Sequence, residues 1–155
     1  MNKRDILLNI IEKDARYVNE RINLSSLDGL SLTISGATGL VGLNIINAIN
    51  YYNLHSAENP INVNALSFNK PTGIIHYIFK ANNIRSISGD LSDMSFVKEV
   101  PFSDCVIHSA GYGQPGKFLD EKLKTISINT SATIELSTRL KENGRFLYLS
   151  SSEIY

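Results

Sequence analysis

Cysteine is almost missing from this chain. One thiol, Cys105, stands among 155 residues, so neither an intrachain disulfide nor a cysteine-built metal site is possible, and no metal is expected. That usage fits a reducing compartment, and a cytoplasmic location is expected. Cys105 lies in the apolar run Cys105-Val106-Ile107 and reads as a buried, inert thiol. An excess of charge of either sign is missing too. Lysine plus arginine number 15, as do aspartate plus glutamate, for a formal net charge of zero. This balance gives no electrostatic reason to expect nucleic acid or a membrane surface as partner. Long hydrophobic runs are also lacking. The apolar stretch after Met1-Asn2-Lys3-Arg4-Asp5 is broken by Asn9, Glu12 and Asp14, so neither a signal peptide nor a membrane span is expected. There is no internal repeat and no low-complexity segment.

What the chain does contain suits one folded domain: 43% apolar residues in a length that can bury a sizeable core. Ile6, Leu7, Ile10, Ile11, Tyr17, Val18 and Ile22 recur at helical spacing and predict a helix from Asp5 to about Asn23. Asp28-Gly29 reads as a turn. Alternation then begins. Strands are predicted at Leu32–Ser35, Ile61–Ser67, Ile84–Ser88, Cys105–His108 and Phe146–Ser150. Between them fall helices at Leu40 to about Tyr51, Pro71 to about Asn82, Met94–Val100, and a long one from about Leu119 to Glu142 closed by Asn143-Gly144. This order predicts an α/β fold, a Rossmann-type doubly wound parallel sheet, with an extra N-terminal helix. The expected division is a helical extension over residues 1–30 and the sheet domain over 31–155.

Gly36-Ala37-Thr38-Gly39-Leu40-Val41-Gly42 follows the first predicted strand and opens a predicted helix. In that context the spacing reads as a pyrophosphate turn. Gly36 permits the tight bend, Gly39 leaves room for close backbone approach, and Gly42 lets the helix pack closely. Free N–H groups and the helix dipole favour the anion. Dinucleotide folds usually place an acid after the second strand for the ribose 2′-hydroxyl. Here that stretch is Leu66-Ser67-Phe68-Asn69-Lys70, without Asp or Glu. Ser67 offers a hydrogen bond to a ribose, Lys70 a charge for a 2′-phosphate, and the choice between NAD and NADP stays open, with NAD slightly favoured. Asp90, in Gly89-Asp90-Leu91, suits either an adenine amine or a cap for the next helix. His108 alone reads as a satisfied core histidine. Asn129, a poor helix former in mid-helix, is explained by a bond from its side chain to nearby backbone.

Five motifs in order resemble the extended short-chain dehydrogenase/reductase family, the NAD-dependent sugar-nucleotide epimerases and dehydratases. They are Ser35-Gly36-Ala37-Thr38-Gly39, Gly89-Asp90-Leu91, His108-Ser109-Ala110-Gly111, Asn129-Thr130-Ser131-Ala132-Thr133 and Ser151-Ser152-Glu153-Ile154-Tyr155. The resemblance implies that Gly36, Gly39, Leu40, Val41 and Gly42 hold the pyrophosphate, with Thr38 in the same turn. It implies that Asp90 and Leu91 contact adenine, and that Ser109, Ala110 and Gly111 line the ribose and nicotinamide side. Asn129 would brace the fourth-strand region near the cofactor. Ser151 matches the residue that hydrogen-bonds the sugar 4-hydroxyl, and Glu153 a base at C5 or an aid to decarboxylation. In such enzymes a Tyr-x-x-x-Lys pair takes a proton while C4 passes hydride to NAD.

The chain departs from that pattern. It contains no Tyr-x-x-x-Lys, and it stops at Tyr155, inside the fifth motif. The expectation is a chain truncated before the catalytic helix and substrate domain: the cofactor-binding part of a nucleotide-sugar epimerase, dehydratase or decarboxylase, itself inactive. The alternative is a noncatalytic NAD(P)-sensing or interaction module of the same fold. A homo-oligomer is expected, with exposed apolar surface driving self-association.

Overall fold

The computed structural model describes residues 2–112 and 115–150. Five strands, β1 (Ser31–Ser35), β2 (Asn62–Ser67), β3 (Ile84–Ser88), β4 (Ser103–His108) and β5 (Leu140–Tyr148), form one parallel sheet in the order β3-β2-β1-β4-β5. The chain runs outward from β1 to β3, returns to the other side of β1 at β4, and continues to β5. The order therefore reverses between β1 and β4, and in such sheets the carboxyl ends of those two strands border a crevice. This is the Rossmann-type arrangement expected from the alternation.

Helices cover both faces. Alternate residues of β1 point opposite ways, so Leu32 and Ile34 meet α2 (Leu40–His55) and α3 (Gly73–Ile78), with Ile46, Ile49, Tyr52 and Ile78 buried against them. On the other face Leu66, Val106 and Phe146 pack against α4 (Met94–Lys98) and the segment that precedes β5. A helix α1 (Lys3–Asn19) comes first, capped reciprocally by Asn2 and Asp5. Its last residue reaches α2, where Asn19 Nδ2 donates to the Ala48 carbonyl at 2.9 Å. The helix stops there, short of the expected Asn23; Ile22, beyond it, is exposed, so another turn would gain little apolar burial.

The largest correction concerns the predicted helix from Leu119 to Glu142. The structure divides this stretch into α5 (Pro115–Asp120), α6 (Lys122–Ser127), a π-helical turn (Ile128–Ala132) and α7 (Thr133–Ser137), and β5 already begins at Leu140. Asn143-Gly144 is not a helix end. Asn143 takes φ 60° inside a bulge, where β5 inserts extra residues between the Leu140–Ser103 and Arg145–Cys105 pairs. The dipeptide does supply a left-handed residue, but sheet pairing decides where it is used. Other ends moved less: α2 runs on to His55 and α3 is shorter than predicted.

Asp104 pins that bulge. It accepts from Ser31 N at 2.7 Å, Ser31 Oγ at 2.6 Å and Lys141 Nζ at 2.8 Å. The Lys141 and Ser31 bonds lower its pKa to about 2. A depressed carboxylate stabilises the fold above its unfolded pKa of about 4 and loses that contribution as pH falls toward the folded value. Asp104→Ala should therefore cost about 1 kcal/mol near neutral pH, the lysine being half exposed. Urea titrations should show the gap between variant and parent closing below about pH 4; a gap independent of pH would contradict the assignment.

Among the described residues no helix is long and apolar enough to cross a membrane. Leu119, Leu123, Ile126 and Ile134 of α5–α7 stand exposed. Cys105 is half-buried, and desolvation raises its pKa, as an unreactive thiol requires.

Candidate functional site

The glycine turn closes on itself before α2 starts. Gly39 N donates to the Gly36 carbonyl at 2.9 Å, and Ala37 N donates across to Leu66 of β2 at 3.0 Å. Gly36 has φ +68°, and a Cβ there would lie 2.7 Å from the Ser109 carbonyl oxygen and 2.9 Å from Ala110 N. The residue thus serves two needs, a left-handed backbone and the close passage of the chain leaving β4. Gly42 is buried against the turn, where a Cβ would come 2.5 Å from the Gly36 carbonyl oxygen. Gly39 is the N-cap of α2, exposed and without any side-chain cap. The N–H groups of the first turn of this 16-residue helix therefore point outward without internal acceptors.

Beyond these strand ends lies a cleft of about 760 Å³. It gathers Gly36, Thr38 and Gly39 from the turn, Ser67 at the end of β2, Asp90 and Leu91 after β3, and Ser109, Ala110 and Gly111 after β4. Nine of the residues singled out from the sequence thus share one cavity. Leu40, Val41, Gly42 and Asn129 do not line it, nor do Lys70 and His108. Leu40, at 82% exposure, and Val41 begin α2 with their side chains toward solvent, so only their backbone faces an anion at the turn. Gly42 sits behind the turn, and Asn129 follows the lining residue Ile128, with its Oδ1 3.9 Å from where a Cβ on Gly111 would lie. Ser151 and Glu153 lie outside the described residues.

The hydrogen bonds refine several readings. Ser67 Oγ donates to the Asn69 carbonyl at 2.8 Å, which leaves it only acceptor capacity toward the cleft. Lys70 is exposed and does not line the cavity. Asp90 Oδ1 accepts from Ser92 N and Ser92 Oγ at 2.8 and 2.7 Å, while Oδ2 faces Lys124 Nζ at 4.0 Å. The cap of α4 is instead Asp93, whose Oδ1 accepts from Ser95 N at 2.9 Å. Asn129 Nδ2 donates to the Thr125 carbonyl at 2.8 Å, the local backbone bond expected of a mid-helix asparagine, and its Oδ1 accepts from Tyr148 OH at 3.0 Å.

Sequence reasoning missed part of the cavity: Phe68 and Asn69 after β2, Tyr112 after Gly111, and Asp120, Glu121 and Lys124 from α5, α6 and the turn between them. Only Phe68 and Asn69 had a local signal, their place at a strand end. The others come from a segment whose path over the sheet is set by packing.

Fold and cleft together define a Rossmann-type α/β domain with its glycine turn at the point where strand order reverses. The chain belongs to the NAD dependent epimerase/dehydratase family, whose model matches residues 32–155. Solved structures agree on the fold. An epimerase from Methanothermobacter thermautotrophicus superposes with a TM-score of 0.63 at 21% identity, covering 92% of this chain and 39% of that one. UDP-glucose 4-epimerase from Bifidobacterium longum, solved with NAD+ and UDP, gives 0.58 at 18% identity, covering 81% of this chain and 38% of its own. A short chain dehydrogenase from Burkholderia cenocepacia, solved with NADP, gives 0.60 at 17% identity, covering 81% and 57%. The chain thus spans about two fifths of the length of the two epimerases. A search of curated proteins finds no match.

Proposed function

We propose that this chain binds a nicotinamide dinucleotide as the cofactor-binding part of a nucleotide-sugar epimerase or dehydratase. The observation that carries the reading is the uncapped start of α2, which opens into a cleft extending to both sides of the strand-order reversal. Its donors suit a pyrophosphate, and Gly39 has no Cβ to obstruct close approach. The side toward β2 and β3, with Asp90 and Leu91, takes the adenosine half; the side toward β4, with Ser109, Ala110 and Gly111, takes the nicotinamide half. When bound, nicotinamide supplies a hydride acceptor for the sugar C4. Ser151 would orient the 4-hydroxyl and Glu153 act as the base; without a Tyr-x-x-x-Lys pair, these 155 residues bind cofactor and turn nothing over. The family membership supports the sugar-nucleotide class. The exposed leucines and isoleucines of α5–α7 support self-association.

NAD is the preferred form. Among the described residues, Asp90, Asp120 and Glu121 line the cleft against one cation, Lys124, and this balance opposes a further phosphate. Calorimetric titration should give NAD a dissociation constant at least about fivefold below that of NADP. Tighter NADP binding would refute the preference; no heat with either cofactor, or with ADP, would refute the cofactor reading itself.

A further inference from the structure

One imidazole joins three parts of this cleft. His108 ends β4, is 1% exposed, and stands beside Ser35 in the sheet register. Its Nε2 lies 3.0 Å from the Ile128 carbonyl oxygen. A carbonyl can only accept, so Nε2 carries the proton and Nδ1 is an acceptor. The Ser35 hydroxyl donates to that Nδ1 at 2.5 Å, and Ser35 Oγ itself accepts from Ser109 N and Ala110 N, each at 3.2 Å. Every bond in the chain is consistent with one neutral tautomer. Burial pushes the imidazole pKa below the ordinary histidine value, with the Ile128 bond opposing, and keeps the ring uncharged near neutral pH.

The Ile128 end of this chain is unusual. Ile128 opens the π-helical turn and lines the cleft, and Asn129 follows it. A π turn departs from the regular helical ladder, and here the His108 ring reaches the carbonyl at its start. On the far side, Tyr148 packs its ring 5.6 Å from that of His108 and donates its hydroxyl to Asn129 Oδ1 at 3.0 Å. The end of β1, the segment after β4 and the π turn are thereby held in one arrangement.

We propose that His108 is a positioning residue of the cofactor cleft, joining Ser109–Ala110 and the Ile128–Asn129 turn into the rigid wall against which the nicotinamide half is held. The proposal rests on the cofactor reading above. It makes a demand that a general structural role does not: loss of His108 weakens the nicotinamide half selectively. The adenosine half lies across the reversal, against Asp90 and Leu91, and the Asp90 carboxylate is engaged by Ser92 and Lys124 rather than by this chain of bonds.

The test uses the 155-residue chain, with ADP binding followed by calorimetry and NADH binding by its own fluorescence. H108F keeps an aromatic ring and loses both polar bonds. NADH affinity should fall at least about tenfold and ADP affinity less than about twofold. H108Q places an amide N–H where Nε2 donates, and should recover NADH affinity to within about threefold of the parent. In the unsubstituted chain, nitrogen NMR of the imidazole should show a proton on Nε2 and none on Nδ1 between about pH 6 and about pH 8. Equal losses for ADP and NADH in H108F, no recovery in H108Q, or a proton on Nδ1 would each overturn the positioning role while leaving the cofactor reading intact. The NMR measurement needs no variant and so holds the proposal open to refutation even where H108F does not fold. Failure of the unsubstituted chain to bind either ligand would overturn the cofactor reading, and this proposal with it.

Discussion

Replacing Gly36 with alanine should destabilise the fold by about 2–5 kcal/mol and abolish measurable cofactor binding. Two costs add. A side chain at φ +68° carries about 1–2 kcal/mol of backbone strain. The added Cβ would also sit 2.7 Å from the Ser109 carbonyl oxygen and 2.9 Å from Ala110 N. Both are backbone atoms held by Ser35, whose hydroxyl bonds Ser109 N and Ala110 N and whose carbonyl accepts from Ser109 Oγ. They cannot swing aside as a side-chain tip can, and overpacking of this kind costs about 1–3 kcal/mol. Gly73 isolates the first cost. It too has positive φ, +57°, but nothing lies within 4 Å of its Cβ position. Gly73→Ala should therefore lose only about 1 kcal/mol and leave cofactor affinity unchanged. Urea denaturation of the two variants gives the comparison through the shift in midpoint. Equal losses would show that strain alone matters at Gly36 and that the approach of the β4 segment is loose.

Gly89 is the second sensitive glycine, for a different reason. Its backbone is ordinary, yet a Cβ would overlap the Phe96 ring, with Cζ at 2.7 Å. Phe96 belongs to α4 and packs in the core under β3, beside the cleft residues Asp90 and Leu91. Gly89→Ala should cost about 2 kcal/mol, because the ring is held by packing and must displace its neighbours. Phe96→Leu should cost about 1 kcal/mol alone. In the double variant the smaller side chain makes room, so the loss should fall short of the sum by about 1–2 kcal/mol. Strict additivity in that cycle would mean the ring moves freely and the contact is not what requires glycine. Adenosine-side binding offers a second readout, since a shift of α4 would move Asp90 and Leu91; ADP affinity should drop with Gly89→Ala and return in the double variant.

Local patterns and tertiary packing left different marks on this molecule. The first four strands were legible because each is a short apolar run bounded by breakers, and β3 occupies the predicted residues without change. The glycine turn was legible because its spacing sits between a strand and a helix, a context that few alternatives share. The stretch from Leu119 is helical as far as Ser137 as its apolar spacing predicts, but its π turn and its early end were not legible, because the local geometry there answers to contacts far away. The Ile128 carbonyl is taken by His108, and Leu140 is drawn into the sheet by Ser103. Asp90 shows the intermediate case. The sequence left it between an adenine contact and a helix cap; the structure gives one oxygen to a turn at Ser92, turns the other toward Lys124, and leaves the helix cap to Asp93.

From its residues alone, then, this chain determined the alternation of strands and helices, the parallel α/β class, and the place of the pyrophosphate turn. These depend on side-chain periodicity and on backbone freedom at a few glycines, both local properties. The tertiary structure alone decided which walls close the cleft: the carboxylates and Lys124 of α5 and α6, the π turn at Ile128, and the union of Ser35 with His108 across β1 and β4. Strand alternation could place Ser35 and His108 each on a face, but only the sheet order and register make those faces the same one. A hydrogen bond between residues 73 positions apart has no signature in local sequence, because the distance that creates it is set by the packing of everything between them.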